Sequence, residues 1–160
     1  MVRSLLKNVR EFDSWLINWL NRSSLTLLRF SLAVIFIWFG ALKPFGQSPA
    51  TSLITKTIYW FDPKIFIPIL GIWEMLIGIC LIFPPLIRLG LFLLAVQMPG
   101  TFLPLVLLPK VCFTHVPFDL TLEGQYIIKN LVLIGAALVV GSKLIPLKNQ
   151  RQVASGSSLF

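Results

Sequence analysis

EGQYIIKNLVLIGAALVV, residues 123–140, decides how the rest of the chain is read. It is long enough to cross a bilayer, which takes roughly 20 largely apolar residues, yet it carries Lys129 and Asn130 near its start. An ionisable group inside a membrane span is costly and normally faces a protein interior or a water-filled cavity, where it has a partner. The stretch therefore predicts a polytopic membrane protein and poses the question of what pairs with Lys129.

Composition points the same way. Of 160 residues, 56% are hydrophobic and only 12% charged, against soluble averages of about 45–50% and about 25%. The 14 Lys and Arg outnumber 6 Asp and Glu but form no run. They stand at the ends of apolar segments, as positive-inside topology requires, so nucleic acid is not the expected partner; the lipid bilayer is. One histidine and two cysteines are too few for a metal cluster of the softer ligands within one chain. At the N-terminus, charges are interleaved with apolar residues, which is unlike a signal peptide.

Working outward, residues 1–24 place Leu5, Val9, Phe12, Leu16 and Trp19 at steps of three and four, with Arg3, Lys7, Arg10 and Asp13 elsewhere around the helix. This predicts an amphipathic interfacial helix, ending in a cap or joint at residues 21–24. A membrane domain over 25–143 follows, with spans at 25–42, 65–83, 86–108 and 123–140, and then a polar tail over 144–160, expected to be disordered at 155–158. The expected fold is all-α, a four-helix transmembrane bundle. Pro84-Pro85 leaves so short a connection that the second and third spans form an antiparallel hairpin. Pro99-Gly100 and Pro104 predict a kink or an unwound turn in the third.

Orientation follows from the bases. With the N-terminus inside, Arg3, Lys7, Arg10, Arg22, Arg29, Arg88, Lys143, Lys148 and Arg151 are cytoplasmic, against Lys43, Lys56, Lys64 and Lys110 outside. Both termini are thus expected in the cytoplasm. Cys80 and Cys112 then lie on the order of 20 Å or more apart, beyond disulfide reach. Cys112 is read first as a loop-packing residue, with an exposed thiol as the alternative.

Polar residues inside the spans are the candidate site. Glu74 lies roughly 13 Å into the second span, near mid-depth, on a stripe with Gly71 and Gly78 where a neighbouring helix can come close. Gln97 is near mid-depth in the third. The expectation is a Glu74–Lys129 ion pair supported by Gln97 and Asn130, since paired buried charges offset each other's desolvation. Helix glue is the first reading of this network and a ligand or proton site the second. His115, Glu123 and Gln125 are candidates at the outer mouth, with a plain surface role for His115 as the first reading. No phosphate loop, nucleophile triad or haem attachment motif is present, which disfavours an autonomous hydrolase or metalloenzyme.

GQYIIKNLVLIGAALVV at 124–140 resembles the last helix of inner-membrane proteins of the YkgB or RclC type, within the DoxX-like superfamily. RFSLAVIFIWFGALKPF at 29–45 is similar to that family's first span, GIWEMLIGICL at 71–81 to its second, with Glu74 in place, and QMPGTFLPLVLLP at 97–109 matches the third in character. The resemblance covers about 25–143. It implies a four-helix bundle in the cytoplasmic membrane of a bacterium and a setting of reactive-chlorine or oxidative stress; more distant relatives are subunits of quinone-linked sulfur oxidoreductases or membrane redox assemblies. Aspartate is common in the family where Asn130 stands, and the amide keeps the hydrogen bonds but loses an acid. The expected function is an accessory or structural membrane subunit, with a membrane redox partner or a second copy as its company. A quinone-interacting oxidoreductase subunit and a small-solute transporter are the alternatives.

Overall fold

Asp62 accepts a hydrogen bond from the backbone N–H of Lys64 (2.9 Å), and Pro63 takes the first helical position, so an apolar helix begins where its free amides are capped. That helix, α3 (Pro63–Ile82), is the second of four helices long and apolar enough to cross a membrane among the described residues. In the computed structural model the chain is described from residue 2 to residue 144, with side chains from residue 8. The 145–160 portion of the expected polar tail lies outside the described residues.

The element order is α1 (Val2–Leu42), α2 (Thr51–Thr57), α3, a 3-10 turn at Pro84–Leu86, α4 (Ile87–Leu107), α5 (Pro109–Cys112), β1 (Phe113–His115), β2 (Asp119–Leu120), α6 (Leu122–Ile128) and α7 (Asn130–Ser142). The fold is all-α apart from one small antiparallel ribbon, in which Phe113 faces Leu120 and His115 faces Asp119. The spanning segments form a ring: α1 packs on α3 and α7, and α4 packs on the same two. Leu32, Ala33, Phe36, Ile77, Leu81, Leu94, Met98, Ala137 and Val140 fill its centre.

Opposite that core, α3 exposes Ile65, Ile69, Ile72, Leu76 and Ile79. A helix apolar on the outside as well as the inside has lipid for its solvent, because water would leave so large an apolar surface prone to association. With four such helices, the chain is a multi-pass membrane protein.

A second, smaller core forms at the end away from the N-terminal extension. Leu53 of α2, Cys112 of α5 and Ile127 of α6 are buried together against Phe102, Leu105 and Leu108. The connection between the expected third and fourth spans is therefore folded, as α5 and the ribbon, with a cis peptide bond at Val116-Pro117 in the turn.

Two expectations about helix continuity need correction. No joint occurs at residues 21–24, since α1 is one helix of 41 residues. Asn21, Arg22, Ser23 and Ser24 include neither proline nor glycine, and each costs only about 0.7 kcal/mol or less in propensity, too little to end a helix that both flanks extend. Of the kink or unwound turn expected in the third span, the unwound turn is the part to correct: α4 runs through Pro99 and Pro104. Each proline removes one ladder bond, but Leu94 and Met98 hold this helix in the core on the preceding turns.

Candidate functional site

The site is built where α1 and α3 cross. A β-carbon on Gly40 would lie 2.7 Å from the Gly71 carbonyl oxygen and 2.9 Å from Cβ of Glu74. One on Gly71 would lie 2.6 Å from the Gly40 carbonyl oxygen and 2.9 Å from Cβ of Lys43. Each glycine thus sits under the charged residue three positions beyond the other, so the contact that lets the backbones touch also brings the two charges together.

Lys43 Nζ bonds Glu74 Oε2 directly, and both side chains are buried. Glu74 Oε1 accepts a 2.8 Å hydrogen bond from Gln97 Nε2 of α4, and the Phe39 carbonyl lies 3.4 Å from Lys43 Nζ. Trp73 Nε1 donates to the Leu93 carbonyl (3.4 Å) one turn away, a further tie between α3 and α4. Both carboxylate oxygens are engaged, and the charge of each partner is matched within the low-dielectric interior, where an unpaired charge would be very costly. One polar atom is left over: Gln97 Oε1 is buried without a hydrogen-bond partner.

Of the residues expected to form this network, the structure joins Glu74 and Gln97 and places Lys129 and Asn130 elsewhere. The fourth span is divided at Lys129, the cap between α6 and α7. The Lys129 side chain is exposed, with its ammonium 5.2 Å from the centre of the Tyr126 ring, a cation–π distance. Asn130 Nδ2 turns back to the Tyr126 carbonyl (3.2 Å). Helical phase is the reason. The buried stripe of this span is Gly124, Ile127, Ala137 and Val140, and at about 100° per residue Lys129 stands about 200° from Ile127, on the opposite face.

Lys43 was the residue missed. It marks the end of the first span in the sequence, and a terminal lysine is ordinarily read as snorkelling outward. The signal that reveals it is a matched spacing, Gly40-x-x-Lys43 against Gly71-x-x-Glu74, on two adjacent antiparallel spans.

The outer-mouth candidates form a separate group. His115 Nδ1 and Asp119 Oδ2 are 3.0 Å apart across the ribbon, both highly exposed. Gln125 Nε2 donates to the Leu120 carbonyl (3.4 Å), and Glu123 is exposed in the first turn of α6. None of these bonds leads to Glu74. Beneath them Cys112 is fully buried with its sulfur 3.5 Å from the Pro104 carbonyl, a packing position. Burial pushes its thiol pKa up, and the nearby Glu123 charge adds to the shift. Cys80 is buried as well, and neither cysteine is in a disulfide.

The fold and the buried triad define a class, a multi-pass all-α membrane protein with a charge pair locked inside its bundle. Compared with family models, curated proteins and solved structures, the chain finds no match in any of the three.

Proposed function

We propose that the chain is an accessory, structural subunit of the bacterial cytoplasmic membrane, of the DoxX-like YkgB or RclC type, acting in resistance to reactive chlorine or redox stress with both termini in the cytoplasm. One observation supports the accessory role: Glu74, the acid at mid-span, has both oxygens committed to Lys43 and Gln97. A carboxylate held by a lysine at the end of α1 and a glutamine of α4 ties three spans together, which is what a structural group does. The stress setting rests on the resemblance of 25–143 to that family. A membrane redox partner or a second copy of the chain is the company this role calls for. Deleting the gene and challenging cells with hypochlorous acid and with peroxide tests it; survival equal to the parent strain in both would end the stress reading.

A second reading, a quinone-interacting subunit of a membrane oxidoreductase, draws on the unpartnered Gln97 Oε1 beside Glu74. A buried acceptor in that position can take the O–H of a quinol. Purified protein is expected to copurify with quinone and to lose it in Gln97→Leu. Quinone absent from the wild type, or retained equally by the variant, removes this reading.

A further inference from the structure

At the end of the bundle where α3 turns into α4, the helices α1, α4 and α7 leave a cavity of about 210 Å³ between them. Arg29 and Lys143 line it, together with Thr26 and apolar walls that include Leu25, Ile87 and Leu144. Among the described residues its lining holds two cations and no carboxylate. Arg29 is the informative member, for its Nε is buried and has no hydrogen-bond partner among the described residues. A guanidinium N–H withdrawn from solvent without an acceptor is a substantial penalty, and arginine's planar fork is shaped to give two parallel bonds to one anion. The missing component is an acceptor, negatively charged and small enough to enter.

We propose that this cavity binds the phosphate of an anionic phospholipid, with Arg29 and Lys143 on the phosphate oxygens and Thr26 within the polar part of the pocket. Three features select this ligand. The cavity lies at the end of apolar spans, with Arg29 and Lys143 in its lining and Arg22 one turn before Leu25, so cations gather at headgroup depth. The neighbouring Leu27, Phe30 and Leu86 are exposed and apolar, surfaces along which acyl chains can lie. Because no acidic side chain among the described residues lines the pocket, a headgroup with its own ammonium gains no counter-ion from them, which favours phosphatidylglycerol over phosphatidylcholine.

The test uses the full chain purified in detergent, with the Tm and lipid retention by native mass spectrometry read against added phosphatidylglycerol, phosphatidylcholine or inorganic phosphate. Phosphatidylglycerol is expected to raise the Tm and to remain bound, phosphatidylcholine to bind at least about tenfold more weakly, and inorganic phosphate to do neither. Arg29→Gln and, separately, Lys143→Gln are expected to weaken phosphatidylglycerol binding by about tenfold or more. Lys143→Gln keeps the test decisive should Arg29→Gln fold poorly. Equal effects of the two lipids, an inorganic phosphate effect as large as that of phosphatidylglycerol, or unchanged binding by Lys143→Gln would each overturn the assignment.

Discussion

The carbonyl oxygens of Gly40 and Gly71 each occupy the space that a β-carbon would need on the other residue. The α1–α3 crossing therefore depends on two missing methyl groups, in the manner of small-residue contacts that let membrane helices approach closely. Gly40→Ala and Gly71→Ala should each destabilise the fold by about 1–3 kcal/mol, because the nearest atom in the way is in each case a backbone carbonyl oxygen that cannot rotate aside. Gly135→Ala is the control. Beyond its chain neighbours and its own helix backbone, no atom comes within 4 Å of the β-carbon it would add, so its thermal unfolding in detergent should match or slightly exceed the wild type. A Gly71→Ala protein as stable as Gly135→Ala would contradict the crossing.

The same crossing makes a prediction about charge. Removing one member of the buried pair, as in Lys43→Met or Glu74→Gln, leaves the other without its counter-ion and should cost about 3–5 kcal/mol. The double variant should recover part of that loss, since two well-packed neutral side chains avoid both desolvation penalties. Lys129→Met supplies the contrast: its ammonium is exposed on Tyr126, and the change should alter stability by about 0.5 kcal/mol or less. Thermal or denaturant unfolding of the four proteins checks the pattern. A loss on Lys129→Met as large as that on Lys43→Met would place the counter-ion on the wrong helix.

The contrast between Lys43 and Lys129 also shows what could be read from the sequence. Apolar length and proline punctuation locate the spans, because a bilayer imposes a fixed thickness and every backbone group must be satisfied within it. Glu74 and Gln97 stand out for the same reason, as polar atoms where none is tolerated without a partner. Which lysine meets Glu74 depends on helical phase and on where one helix crosses another, and those follow from small residues on two separate segments. Gly40 and Gly71 carry that information, but only when compared with each other. The short helix α5 and the ribbon at 113–120 were illegible for a different reason. Their core is built from Leu53, Cys112 and Ile127, three residues far apart in the chain and apolar in any context.

His115 and Asp119 test the opposite extreme. Their 3.0 Å contact is highly exposed on both sides, and exposed pairs contribute about 0–1 kcal/mol. His115→Ala and Asp119→Ala should each move the unfolding midpoint little. A loss from Asp119→Ala comparable to that from Glu74→Gln would mean that this ribbon carries far more of the fold than its exposure allows.

Cys112 gives the last test, on chemistry and on pH together. Its thiol is fully buried and its pKa is raised above the ordinary 9.0, so little thiolate exists at neutral pH and a reagent has no path to it. In a Cys80→Ala background, maleimide should label the folded protein slowly and the detergent-denatured protein rapidly. The linkage has a definite sign. Because the folded state holds the thiol proton more tightly than the unfolded state, the stabilisation it brings is complete below about pH 9 and disappears as pH rises through the folded value. Cys112→Ala should therefore flatten the alkaline limb of the stability profile while leaving its shape below pH 8 unchanged. Rapid labelling of the folded chain at neutral pH would show instead that the sulfur is accessible and that the core around Leu53 and Ile127 is open.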